Sequence, residues 1–251
     1  MEIISVNIQK GGCGKTTSVQ CLSEILSSQY GLRVLCVDTD AQCSLTILSG
    51  VSPEECENNI YTLLRGESTL SASILHTKYY DLVPGSVLMS PIDMDFHEKK
   101  FLLKEILKDA DYDIVFIDTP PALGPINIMS LAASTKVLIP TECSYPAMIG
   151  LNQLYLTIQA VKLINSRLEL LGLVMIKFNG RMNVNNVILE AMEQTAKAMG
   201  TKVYEAKVRE TVKIREAQSQ LTPILDWDEN CTAVYDYKIL AEEIYSDLKK
   251  C

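Results

Sequence analysis

Residues 2–31 read EIISVNIQKGGCGKTTSVQCLSEILSSQYG, and the architecture follows from this stretch. EIISVNI is apolar and β-branched and stops at the glycines, the pattern of a strand. TSVQCLSEILSSQYG carries apolar positions at helical spacing and ends at Gly31, the pattern of a helix with a glycine stop. Between them a glycine-rich loop runs into a lysine and two threonines. A strand–loop–helix junction of this kind places a ligand site at the C-terminal ends of a parallel sheet. Backbone N–H groups in such a loop can wrap anionic oxygens. The helix N-terminus adds its positive end, and glycine lets the loop curl close to the ligand.

Outward from the loop the same alternation continues. RVLCVD, DYDIVFIDTPP, TKVLIP and LLGLVMIKF are nearly continuous in their hydrophobicity, as strands covered on both faces are. Helical stripes lie between them. One is Phe101, Leu102, Ile106 and Leu107. Another is Leu151, Leu154, Tyr155, Ile158 and Val161. VNNVILEAMEQTAKAMG is a third, stopped by Gly200, and Val234, Tyr237, Ala241, Ile244 and Leu248 form the last. Residues 41–80 are less regular and fit short helices. The expected fold is α/β, a doubly wound, mostly parallel sheet with crossover helices. With no linker, repeat or low-complexity tract, residues 1–251 are expected to form a single domain.

Composition narrows the class. The 251 residues are 47% hydrophobic and 22% charged, with a formal net charge of −8. That balance is ordinary for a globular protein and argues against uniform nucleic-acid coating, though not against a local basic patch. The eight cysteines form no C-x-x-C pair, and His76 and His97 are the two histidines. A zinc cluster is therefore not expected. Several cysteines sit in apolar runs and read as small buried hydrophobes of a reducing cytoplasm. No stretch has the form of a signal peptide or an 18-residue apolar span.

The loop GGCGKTT suits a nucleotide's phosphates. Gly11, Gly12, Cys13, Gly14, Lys15, Thr16 and Thr17 are its expected binding residues. Lys15 would reach the β- and γ-phosphates and the Thr16 hydroxyl would ligate Mg²⁺. The strict pattern G-x-x-x-x-G-K-[ST] would put its first glycine at Gln9. Lys10 opens the loop instead, giving the deviant form KGGxGKT[ST]. In this the chain resembles the ParA/Soj/MinD group of P-loop ATPases, which also includes the nitrogenase iron protein.

The resemblance implies ATP as ligand and a nucleotide-sandwich homodimer. Lys10 would then cross to the phosphates held by the other subunit, while Lys15 serves its own. DTDAQCS, residues 38–44, resembles the family's D-x-D-P-Q segment, with Ala41 in place of proline. Asp40 is implied to position the attacking water and the Mg²⁺ shell, and Asp38 to assist the metal or hold the loop. Lys10, Lys15 and Asp40 are thus the implied catalytic residues. Asp118 in DIVFIDTPP matches the Walker B carboxylate that holds Mg²⁺ through water. Thr119, Pro120 and Pro121 match the start of switch II, and Gly124 its swivel. Met129 stands where relatives often have asparagine. For the base, Asn179 in KFNGR and the segment after Val208 are both open.

The nitrogenase branch lacks support, since Cys143 in PTECSYP is not in a cluster-ligating setting. LAEEIYSDLKKC at the C-terminus is short and acidic on its polar side. It does not resemble a membrane-surface helix, so no stable membrane association is expected. The segments TPPALGPINIMSLAASTKVLIPTE and VRETVKIREAQSQLTPILDWDENCTAVYDYKILAEEI resemble the ParA/Soj branch. With the phosphate loop starting at residue 10, the chain resembles the short form, without an operator-binding segment. Between Lys197 and Arg215, six basic residues face Glu205 and Glu210 in the sequence, a local +4. Lys197, Lys202, Arg209, Lys213 and Arg215 are the expected contacts to non-specific DNA, salt-dependent and without base readout. The implied function is a partition ATPase in the cytoplasm, associated with the nucleoid, released from DNA when a ParB-like centromere-binding protein stimulates hydrolysis. Two alternatives stay open: an ATPase of the same fold that positions a protein assembly, and a switch module that barely hydrolyses ATP.

Overall fold

Continuous apolar runs of five or six residues must be covered on both faces, and a central parallel sheet with helices on each side does this. The computed structural model describes residues 1–89, 99–180 and 183–250. The strands are β1 (Glu2–Val6), β2 (Val34–Asp38), β3 (Leu75–His76), β4 (Asp81–Val83), β5 (Ile114–Asp118), β6 (Lys136–Thr141), β7 (Glu169–Phe178) and β8 (Val203–Arg209). They form one sheet in the order β3-β4-β2-β5-β1-β6-β7-β8. All pairs are parallel except β3 with β4. The helices are α1 (Lys15–Tyr30), α2 (Ser44–Leu48), α3 (Ile60–Arg65), α4 (Leu102–Leu107), α5 (Pro125–Ala133), α6 (Tyr145–Lys162), α7 (Asn183–Ala198), α8 (Val212–Ser219), α9 (Ile224–Asp228) and α10 (Thr232–Leu248).

Alternate residues of the central strands feed two cores. Ile4, Val6, Cys36 and Phe116 pack with α1 and α10 on one face. Ile3, Leu35, Val37, Val115 and Ile117 pack with α3, α4 and α5 on the other. This is the period-2 alternation of a strand, hidden in the sequence because both faces are apolar. Gly31, at φ 65, ends α1 and donates to Ser27 O at 3.0 Å.

Three strands went unseen in the sequence. β3 and β4 are two and three residues long. β8 alternates buried and exposed positions as an edge strand does, and its outward charges disguise it. Of the α4 stripe, Leu102, Ile106 and Leu107 pack in the second core as expected, and Leu103 joins them in place of Phe101. Leu103 and Leu107 are buried, whereas Phe101 is 38% exposed. His97, Arg181 of KFNGR and Cys251 lie outside the described residues.

The register aligns the site. Val6 and Asp38 each pair with Asp118 at the C-terminal ends of β1, β2 and β5. Thr39 donates to Asp118 O at 2.7 Å and Thr119 to Val6 O at 2.8 Å. The three strand ends are thereby tied at one level beneath the glycine loop.

Candidate nucleotide site

The loop after β1 takes its shape from two glycines. Gly12 and Gly14 have φ of 72° and 65°, the left-handed region that other residues enter at a cost. Gly14 also precedes the first helical residue, and a Cβ there would lie 2.8 Å from Ile176 Cδ1. α1 begins without any side-chain cap. Its first N–H groups therefore face the loop interior, where an anion can satisfy them.

Lys15 is 7% exposed, and its Nζ finds Lys10 O at 3.4 Å. Burial holds its pKa below the usual value, against the pull of Asp118 and Asp40. An ammonium so poorly satisfied is costly on its own and is relieved by an anion. Thr16 Oγ1 donates to Asp118 Oδ2 at 2.6 Å. The other oxygen, Asp118 Oδ1, is buried with no partner. Burial first, and then the neighbouring Asp38, push the Asp118 carboxyl up to about 8.

Asp38 is also fully buried, and burial raises its carboxyl to about 6. Its oxygens accept from Thr46 N at 2.9 Å, Thr46 Oγ1 at 2.7 Å and Asp40 N at 3.2 Å. These bonds tie Asp38 to the loop after β2 and to α2. Gly85, unnoticed in the sequence, permits this: a Cβ there would sit 2.9 Å from Asp38 Cγ. Asp40 lines the cavity, and its Oδ1 accepts from Gln42 N at 3.0 Å.

The cavity measures about 700 Å³ and is lined by residues 11–17 and Asp40, with Ile176, Val208, Thr211, Ile214 and Gln218 farther round. Gln218 Nε2 reaches Thr17 Oγ1 at 3.2 Å, bringing α8 over the loop. Of the two base candidates, Val208 lines this cavity. Asn179 lines an adjoining cleft instead. Thr211, Ile214 and Gln218 belong to the segment after Val208, whereas Ile176 escaped notice because nothing local marks it; tertiary packing alone brings it to the cavity. No group of three or more His, Cys, Asp or Glu side chains among the described residues could hold a metal. Mg²⁺ bound beside phosphates needs fewer, because it keeps several waters and takes phosphate oxygens. The Thr16 hydroxyl and the orphaned Asp118 oxygen fit that donor set.

Three further positions singled out in the sequence have distinct surroundings. Lys10 is turned onto its own subunit, with Nζ 2.6 Å from Glu142 Oε2. Gly124 is extended, at φ −126, so its backbone needs no glycine there. Met129 is fully buried in the core beneath α5. The polar work falls to Asn127, which donates to Pro120 O at 3.1 Å and Ala122 O at 3.2 Å and accepts from Asn7. It ties the loop after β5 to the start of the phosphate loop.

The basic patch is largely neutralised. Arg209 makes a bidentate pair with Asp236, at 2.9 and 2.7 Å. Lys202 lies 2.6 Å from Asp247, Lys213 2.9 Å from Glu216, and Arg215 pairs with Glu210. Lys197 is exposed. The sequence count of +4 omitted Asp236 and Asp247 of α10, which folding brings alongside. The patch is also divided: Lys197 and Lys202 flank the N-terminal end of β8, and Arg209, Lys213 and Arg215 its C-terminal end. Among the described residues no helix is long and apolar enough to cross a membrane.

Comparison with known proteins agrees with this geometry. A family model described as an AAA domain (AAA_31) matches residues 1–170. The chromosome partitioning protein ParA of Caulobacter vibrioides is 29% identical over 98% of this chain and 94% of its own length. The sporulation initiation inhibitor protein Soj of Bacillus subtilis is 31% identical, over 99% of this chain and 97% of its own. A solved structure of cobyrinic acid a,c-diamide synthase from Mycobacterium smegmatis, with bound ATP analog and magnesium, superposes with a TM-score of 0.84 at 26% identity. It covers 99% of this chain and 96% of that one.

Proposed function

The chain belongs to the ParA/Soj family of P-loop ATPases, and from that premise we propose that it is a partition ATPase that converts ATP and water to ADP and phosphate. The observation that carries the proposal is the pairing of a half-satisfied buried acid, Asp118, with an under-satisfied buried cation, Lys15, below a loop of left-handed glycines. A triphosphate supplies the anion that Lys15 lacks, and the Mg²⁺ bound with it, through its waters, would supply the positive partner that the free Asp118 oxygen lacks. Residues 11–17 cradle it, with Lys15 on the β- and γ-phosphates. Mg²⁺, held by Thr16 and through water by Asp118, neutralises phosphate charge when bound. Val208, Ile176 and Ile214 offer apolar surface for the base. Asp40 orients the attacking water, and its loop is steadied by Asp38. Lys10 serves the phosphates of a second subunit, so ATP forms part of the homodimer interface. Turnover is slow until a ParB-like partner accelerates it, since a switch must persist in its ATP state.

The dimer, rather than the monomer, would bind DNA. Two copies double the number of basic side chains, and phosphate contacts made by them weaken with salt. The protein then works in the cytoplasm on the nucleoid, with residues 1–251 acting as one domain. The pairing of Arg209, Lys213 and Arg215 with carboxylates favours a second reading, an ATPase of the same fold that positions a protein assembly.

Sedimentation with ATP, ADP and no nucleotide, with and without random duplex DNA, tests the scheme. Dimer and DNA complex are expected with ATP alone. The Asp40→Ala protein should bind ATP, accumulate as dimer and release no phosphate. Unchanged turnover in that variant refutes the role of Asp40. A monomer in every nucleotide state refutes the sandwich dimer, and DNA binding absent at low salt leaves the positioning reading.

A further inference from the structure

Three lysines crowd the phosphate loop, and one carboxylate holds two of them. Glu142 directly follows β6, at the C-terminal edge of the sheet. Its Oε2 accepts from Lys10 Nζ at 2.6 Å and its Oε1 from Lys177 Nζ at 2.9 Å. Lys177 also donates to Gly12 O at 2.9 Å, inside the loop itself. The Glu142 side chain is 22% exposed, so these contacts are partly shielded from water. Burial alone would raise its pKa, yet hydrogen bonds from Lys10 and Lys177 keep it below the usual carboxylate value.

The backbone supports a built arrangement. Lys177 has φ 49, left-handed for a residue with a side chain. It lies where the β7–β8 register is irregular, between Ile176 and Phe178. Such a conformation is unfavourable and persists where its surroundings over-determine it. Here it aims Lys177 at Glu142 and Gly12 together.

We propose that Glu142 is an intramolecular counter-ion that keeps Lys10 on its own subunit, and that opening this pair admits a second copy of the chain. The inference rests on the cross-subunit role of Lys10 proposed above. While Lys10 lies on Glu142 its charge is already engaged. A second subunit's triphosphate must compete for it, so assembly requires both nucleotide and a facing copy. Lys177 explains why the exchange is feasible. When Lys10 leaves, Lys177 still neutralises Glu142, and no carboxylate is stranded half-buried and unpaired.

Glu142→Gln keeps the volume and an acceptor but removes the charge. At saturating AMPPNP and magnesium, light scattering across a protein dilution series should show half-dimerisation at about two- to fivefold lower protein concentration, the range for a part-exposed ion pair. Adding Lys10→Ala should erase that gain. A second measurement needs no nucleotide: limited acetylation by an N-hydroxysuccinimide ester, read by mass spectrometry. Lys10 should react more slowly than exposed Lys197 in the wild type and faster in Glu142→Gln. A wild type that stays monomeric with AMPPNP overturns the dimer reading and this inference with it. A wild type that dimerises no less readily than Glu142→Gln overturns the inference alone. Faster labelling without tighter dimerisation also overturns it, because release of Lys10 would then not limit assembly.

Discussion

Replacing Glu24 by glutamine should stabilise the protein in mildly alkaline solution and leave it almost unchanged in mild acid. Glu24 lies on the face of α1 that packs against α9, and it is fully buried. Its Oε2 accepts from Leu225 N at 3.2 Å, while Oε1 has no partner. Burial pushes its carboxyl from 4.5 up to about 8, outweighing the backbone hydrogen bond from Leu225. The folded state therefore keeps a proton that the unfolded chain gives up. Stability falls as pH rises from the unfolded value through about 8, and levels off above it. At 1.36 kcal/mol per pKa unit, the full penalty is about 5 kcal/mol. α9 has five residues and can part to admit water, so about 2–3 kcal/mol is the expected loss. Glutamine keeps the acceptor for Leu225 and cannot ionise. Urea unfolding of nucleotide-free wild type and Glu24→Gln, at about pH 5 and about pH 8.5, isolates this group. Asp38 and Asp118 carry slopes of the same sign, but these cancel in the difference between the two proteins. A difference that is the same at both pH values would refute a buried, protonated Glu24.

Lys15→Ala should raise the stability of the nucleotide-free protein, since it removes a buried cation with one long contact, yet weaken ATP binding by more than about a hundredfold. Urea midpoints and fluorescent-nucleotide titration read the two effects, and near-normal affinity rejects the assigned role. Gly14→Ala should cost about 1–2 kcal/mol from its left-handed backbone alone, and more where the new methyl meets Ile176; the urea midpoint should drop and ATP affinity with it. An unchanged midpoint would mean that the loop relaxes around alanine.

Much of the site was legible because its signals are local. A strand, a glycine loop, GKTT and a helix are contiguous, so the strand–loop–helix junction and its left-handed glycines lie where the local pattern puts them. Asp38 and Asp118 were legible as carboxylates at strand ends, because the apolar runs before them mark where the strands stop. Those runs also disclosed a parallel sheet covered on both faces. What stayed hidden depends on partners distant in sequence. Glu142 stands 132 positions from Lys10, and only the adjacency of β1 and β6 sets it beside the phosphate loop. Asp236 turns Arg209 from a free cation into half of an ion pair, although they stand 27 positions apart. Asn127 passed unnoticed beside Met129, since both are fully buried and only the folded chain brings Asn7 to the Asn127 side chain. Local pattern records which groups the chain carries and where its elements begin and end. Charge compensation and burial are properties of neighbours in space, and those neighbours exist only once the sheet has closed.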